Sequence, residues 1–136
     1  MCLAAEDHAI DMAKTGIFGH NSSNGASFSD RITKRCGQAY GSSGENIGSE
    51  FKVQGRDHAL QTILGLIIDD GVPSRGHRKN IFSTDFKYVG ISSRVQGDKI
   101  VTVFDFHSSN LPTKNGSNNS NNIGVNVAYE GKGKGK

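Results

Sequence analysis

Apolar residues recur at a helical period in the first half of this chain and at a strand period after residue 87. The opening MCLAAEDHAIDMAK places Leu3, Ala5 or Asp7, Ile10 and Ala13 near one face, which predicts an amphipathic helix. Residues 16–26 are rich in Gly, Asn and Ser and read as loop. Ser27 is placed to cap a short helix, with Asp30 three residues on at its positive end. Residues 37–48 read as loop again. Residues 56–68 (RDHALQTILGLII) set Leu60, Ile63, Leu64 and Ile67 on one stripe, a core-facing helix ended by Gly71 and Pro73. One more helical turn is expected at 77–82. Residues 88–95 and 99–106 are rich in β-formers around Gln96-Gly97-Asp98, a hairpin whose second strand, with Ile100, Val101, Val103, Phe104 and Phe106, is buried on both faces.

Helices followed by a hairpin predict an α+β fold, and 136 residues suffice for one domain. The body is expected to span residues 1–107. From Ser108 the composition changes: of 29 residues, seven are Asn, five Gly and four Ser, and the chain ends GKGKGK. Residues 108–136 therefore read as a flexible tail, with a short strand at 123–129 (IGVNVAY) where apolar and polar residues alternate. The first helix begins so close to residue 1, with acids by position six, that it reads as a truncated helix and not as a leader.

Charge removes one class of partner. The net +3 lies wholly in the tail, because residues 1–107 carry 12 Lys/Arg against 12 Asp/Glu. The body has no excess charge with which to release counterions from a nucleic acid. No apolar run approaches the ~20 residues needed to cross a bilayer. Two cysteines, Cys2 and Cys36, exclude a disulfide scaffold and a zinc ribbon; they form one disulfide or remain two thiols.

The candidate chemistry sits where elements end. His20 (IFGHNSS) follows the first helix, Glu45 (GSSGENIG) lies between glycines, Asp69 and Asp70 close the long helix, and His77 (PSRGHRKNIF) follows a glycine. Two His with carboxylates are donors for a borderline divalent metal such as Zn2+ and also serve acid–base work. Their spacing matches no local metal or hydrolase motif, so a shared site and separate surface residues both remain open. Ser22 and Ser23 beside His20 allow a Ser–His nucleophile or a loop that satisfies its own backbone. His8 is expected to be partly buried and hydrogen-bonded, and His58 solvated, while His107 is a weak site candidate. Arg75, Arg78 and Lys79 are expected to pair with Asp69, Asp70 or Asp85, and Asn80 to brace its loop.

The strings GHNSSNGASFSDRI, GENIG and LIIDDGVPSRGHRKNIF, followed by VGI and VFDF, resemble the CAP superfamily (the SCP-like extracellular domain) from about Leu3 to Phe106, in particular its IDDGVPSRGHR branch. The resemblance implies an α-β-α sandwich with a small antiparallel sheet covered by helices, and a cleft lined by two His and two acids. His20 and His77 are similar to the cleft histidines and Glu45 to the first acid. Alignment through Leu66, in the place of a usual Trp, favours Asp69 as the second acid, whereas helical geometry favours Asp70, seven residues after Ile63. The resemblance further implies secretion, a metal-binding cleft without an organic cofactor, and a binding, signalling or defence role with a protein or lipid partner. A metal-dependent or Ser–His hydrolase and a lipid or sterol carrier are the alternatives. The chain departs from the family in lacking its Trp-rich strand motifs and its cysteine-rich C-terminal extension.

Overall fold

A computed structural model describes residues 2–38 and 40–111; of Cys2 the backbone alone is described. In chain order the elements are α1 (Cys2–Thr15), α2 (Phe28–Cys36), β1 (Ser43–Phe51), α3 (His58–Ile68), α4 (Gly76–Phe82), β2 (Tyr88–Gln96) and β3 (Lys99–His107). The fold is α+β, as expected. β2 and β3 form the predicted hairpin, whose turn uses Gly97 at φ 60°. β3 also pairs antiparallel with β1, so the sheet order is β1-β3-β2.

Alternation along β3 divides the core in two. Val101 and Val103 meet Ala5, Ala9 and Met12 of α1 together with Ile47 of β1. Phe104 and Phe106 meet Leu66 of α3 and Ile81 of α4, with Phe86 stacked on Phe106 at 5.6 Å between ring centres. α1 and α2 therefore cover one face of the sheet and α3 and α4 the other. α1 is also tied to β2 by the ion pair of Glu6 with Arg94 and by Gln96 Nε2 donating to the Met12 carbonyl at 2.9 Å. A third cluster, Ala4, Ile32 and Cys36, receives Leu111, and Ser108 N–H donates to the Ser42 carbonyl at 2.9 Å. Contacts with the body thus continue as far as Leu111. The tail reading of 112–136, with its strand at 123–129, lies outside the described residues.

Three expectations need correction. Residues 43–48, read as loop, form most of β1. The glycines that suggested a loop answer a different need, because an added Cβ on Gly44 falls 3.0 Å from the Phe86 ring and one on Gly48 falls 3.0 Å from the Thr62 methyl. They mark close approach of α3 and the α4–β2 connection to an edge strand. The buried face of α1 is Ala4, Ala5, His8, Ala9 and Met12, with Leu3, Ile10 and Ala13 on its flanks. Small residues there let the helix sit close on the sheet. On α3 the apolar stripe faces outward: Leu60, Ile63 and Leu64 are 49%, 40% and 39% exposed, and only Leu66 is buried. α3 packs on β1 and α4, at the margin of a three-stranded sheet, so its opposite face overhangs.

Candidate functional site

The first pair is built on α2. Ser27 and Asp30 form a complete capping box, with Ser27 Oγ receiving Asp30 N–H and Asp30 receiving Ser27 N–H. The helix so fixed carries Arg31, which is buried. Its Nη1 donates to the His20 carbonyl (3.1 Å), Ser22 Oγ (3.1 Å) and the Ala26 carbonyl (3.2 Å), and its Nη2 to Glu45 Oε2 (2.5 Å). One guanidinium thereby holds the whole 20–26 loop against β1. His20 Nδ1 donates to the other Glu45 oxygen at 2.8 Å. Glu45 is almost wholly enclosed, whereas the His20 side chain is 56% exposed. Beneath the loop, His8 Nε2 donates to the Gly19 carbonyl at 2.7 Å. The ring is hydrogen-bonded as expected and wholly buried; burial first, and then the charge of Arg31, lowers the His8 pKa, so it acts as a neutral strut.

The second pair closes the α3–α4 junction. α3 stops at Ile68, and Asp69 takes the left-handed conformation at φ 54°. That turn buries the Asp69 carboxylate, which accepts from His77 Nδ1 (2.7 Å), His77 N–H (3.0 Å) and Arg78 N–H (3.2 Å). Asp70 stays exposed. The helical argument for Asp70 fails because the helix has ended before it. Burial acts to raise the Asp69 pKa, but the hydrogen bond from His77 and those from the backbone outweigh it, and the net shift is downward. A lowered carboxyl pKa contributes stability above the unfolded value of about 3.9, and that stability is lost as pH falls through the folded value. Thermal midpoints followed from pH 7 to pH 3 are expected to fall more steeply in the wild type than in Asp69→Asn; parallel curves would refute this.

Among the described residues, Arg75 and Arg78 turn to backbone carbonyls and not to the carboxylates expected of them. Arg75 Nη1 donates to the Ile68 and Asp69 carbonyls, and Arg78 to the Ile67 and Ile68 carbonyls. The last turn of α3 has unsatisfied carbonyls at its negative end, and these attract the cations. Asn80 braces as expected, donating from Nδ2 to Asn46 Oδ1 at 2.8 Å, and Asn46 Nδ2 donates to the His77 carbonyl at 3.0 Å. His58, expected in solvent, is half-buried: its Nε2 accepts from Val53 N–H, and its Nδ1 lies 3.5 Å from Glu50. Ser22 and Ser23 engage Arg31 and Asp11 respectively.

β1 relates the two pairs. Glu45 and Asn46 are successive strand residues and point to opposite faces. Glu45 reaches His20 and Arg31 on the α2 side, and Asn46 reaches the α4 side, where His77 and Asp69 lie. A groove of about 420 Å³ runs between α3 and β1, with Asp69, Asp70 and His77 at one end and Glu50 and Arg56 in its wall. His20 and Glu45 do not line it. Among the described residues, no three His, Cys, Asp or Glu donors gather closely enough to hold a metal ion, and no helix is long and apolar enough to cross a membrane.

Three residues of the site escaped the sequence reading. Arg31 gave no signal beyond its place after a cap. Asn46 lay within the quoted GENI string without a role. Asp105 carried a usable signal, a carboxyl group inside a strand that reads as buried on both faces. Among comparisons with known proteins, the family model described as CAP, cysteine-rich secretory protein family, matches residues 1–106. Searches of curated proteins and of solved structures gave no match.

Proposed function

The chain belongs to the CAP family of cysteine-rich secretory proteins, and from that premise we propose that it is an extracellular binding module whose His20 and His77 hold a divalent cation, with Zn2+ the first candidate. The observation that carries this reading is the same on both rings. Nδ1 is committed to an enclosed carboxylate, Glu45 or Asp69, and Nε2 makes no hydrogen bond among the described residues. A carboxylate behind an imidazole fixes the tautomer with its lone pair on Nε2 and raises its basicity as a ligand. Such a cation would supply a Lewis-acidic anchor for an anionic or carbonyl group of a partner. With two imidazoles as the protein donors, its other positions fall to water or to the partner, the open coordination that suits exchangeable binding.

Calorimetric titration with zinc is expected to give saturable binding to the wild type and none to His20→Ala/His77→Ala. Equal affinity of the two proteins would overturn the proposal. The hydroxyls nearest His20 are engaged by Arg31 and Asp11, which supports a binding module over a Ser–His hydrolase. A second reading, lipid or sterol carriage, is favoured by one observation. A mostly apolar groove of about 550 Å³ lies between α4 and β2, lined by Ile81, Phe82, Phe86, Tyr88, Val89 and Phe106, a size suited to a small apolar ligand.

A further inference from the structure

Behind the His20–Glu45 pair lies a second carboxyl group. Glu45 of β1 and Asp105 of β3 are directly opposed in the antiparallel register, so both side chains leave the sheet on the face under α1 and α2. Asp105 is 0% exposed, and among the described residues neither of its oxygens receives a hydrogen bond. Its neighbour is a carboxylate whose two oxygens already accept from His20 and Arg31.

The charges do not balance if both acids ionise. Arg31 is the cation at this spot, and it faces Glu45. The other groups bearing on Asp105 are the amino terminus, ahead of α1, and Gly90 of β2, which brings no side chain. His8 of α1 is neutral by burial. His107, two residues along the same face of β3, is turned to Ser109, with its Nδ1 2.9 Å from the Ser109 nitrogen and 3.0 Å from the Ser109 carbonyl oxygen. A second ionised carboxylate would sit dry beside the first, an arrangement that like charges and desolvation both oppose. Two facing carboxyl groups can hydrogen-bond only when one of them carries a proton.

We infer that Asp105 is a protonated carboxylic acid that donates its hydrogen to the Glu45 carboxylate, making it a positioning residue that fixes the acceptor of His20 from the core side. Glu45 then keeps a single charge shared among His20, Arg31 and Asp105, and the imidazole is held by a chain of three hydrogen-bonded groups. The inference rests on the pair geometry and not on a bound cation, so it stands or falls separately from the zinc titration. Burial, and then the nearby Glu45 charge, raise the Asp105 pKa well above the ordinary value, in agreement with the geometry.

The test uses the full chain. A group whose folded pKa is raised binds a proton in the folded state that the unfolded state releases, so stability falls as pH rises from about 4, the unfolded Asp value, to the folded one. Asp105→Asn, which keeps a donor towards Glu45 and cannot ionise, is expected to flatten that decline, and Asp105→Ala to lower stability without restoring the hydrogen bond. An Asp105→Asn protein that keeps the wild-type slope, displaced downward at every pH, would overturn the inference. Should the variants fail to fold, the carboxyl carbon-13 shift of Asp105 in the wild type at pH 7 decides alone. The protonated position supports the inference and the carboxylate position overturns it.

Discussion

Replacing Arg31 with Met is expected to cost about 3–5 kcal/mol, because it leaves the enclosed Glu45 carboxylate without its cation. That is a large share of the ~5–15 kcal/mol by which a domain is ordinarily stable. Two losses combine. The Glu45 charge keeps hydrogen-bond donors in His20 and Asp105 but loses its permanent cation, and the 20–26 loop loses its bonds at the His20 and Ala26 carbonyls and at Ser22 Oγ. Met fills much of the space, so a cavity contributes little and the charge effect is isolated. Adding Glu45→Gln to Arg31→Met removes the stranded charge and is expected to recover part of the loss, a coupling that a double-mutant cycle in urea measures directly. A single variant within 1 kcal/mol of wild type, or a double variant that recovers nothing, would show that Arg31 does not neutralise Glu45.

The second large effect is expected at Asn46, which is 0% exposed and joins two elements with one side chain. Asn46→Ala strands the His77 carbonyl and the Asn80 amide, at a cost of about 2–3 kcal/mol. The damage is local. α4 is seven residues long and too short to stand on its own propensity. It is attached to β1 through the Asn46 amide and to the core formed by α3 and β3 through Ile81. Amide hydrogen exchange in 77–82 is therefore expected to accelerate far more than in α1. Uniform acceleration across the chain would mean that Asn46 supports the whole core and not the His77 junction. The same variant is expected to weaken cation binding through His77 while leaving the His20–Glu45 hydrogen bond in place.

Asn46 and Glu45 also show how much of the site can be read along the chain. The GENI string marked the right stretch of chain but read as loop, and its two polar residues serve opposite faces of a strand, a division that depends on which face each helix covers. His20 and His77 were legible as residues at the ends of elements. The Ser27–Asp30 cap, the hairpin and the doubly buried β3 were legible because each follows from local spacing and backbone preference. β1 was not, since its glycines meet Phe86 and Thr62, which are distant in sequence. The stripe on α3 misled for a related reason. Periodicity shows that a helix has an apolar face, and the width of the sheet decides whether anything lies beneath it.

The order of the helices and of the closing hairpin, the family pattern, the capped start of α2 and the identities of both histidines follow from local interactions, in which a residue and its near neighbours supply the whole cause. The pairing of His20 with Glu45 and of His77 with Asp69 over Asp70, the insertion of Arg31 and the burial of Asp105 against Glu45 belong to the folded molecule alone. Each depends on dehydrating groups that lie far apart in the chain. A buried charge accepts whichever partner the packing brings, and no local spacing records that choice.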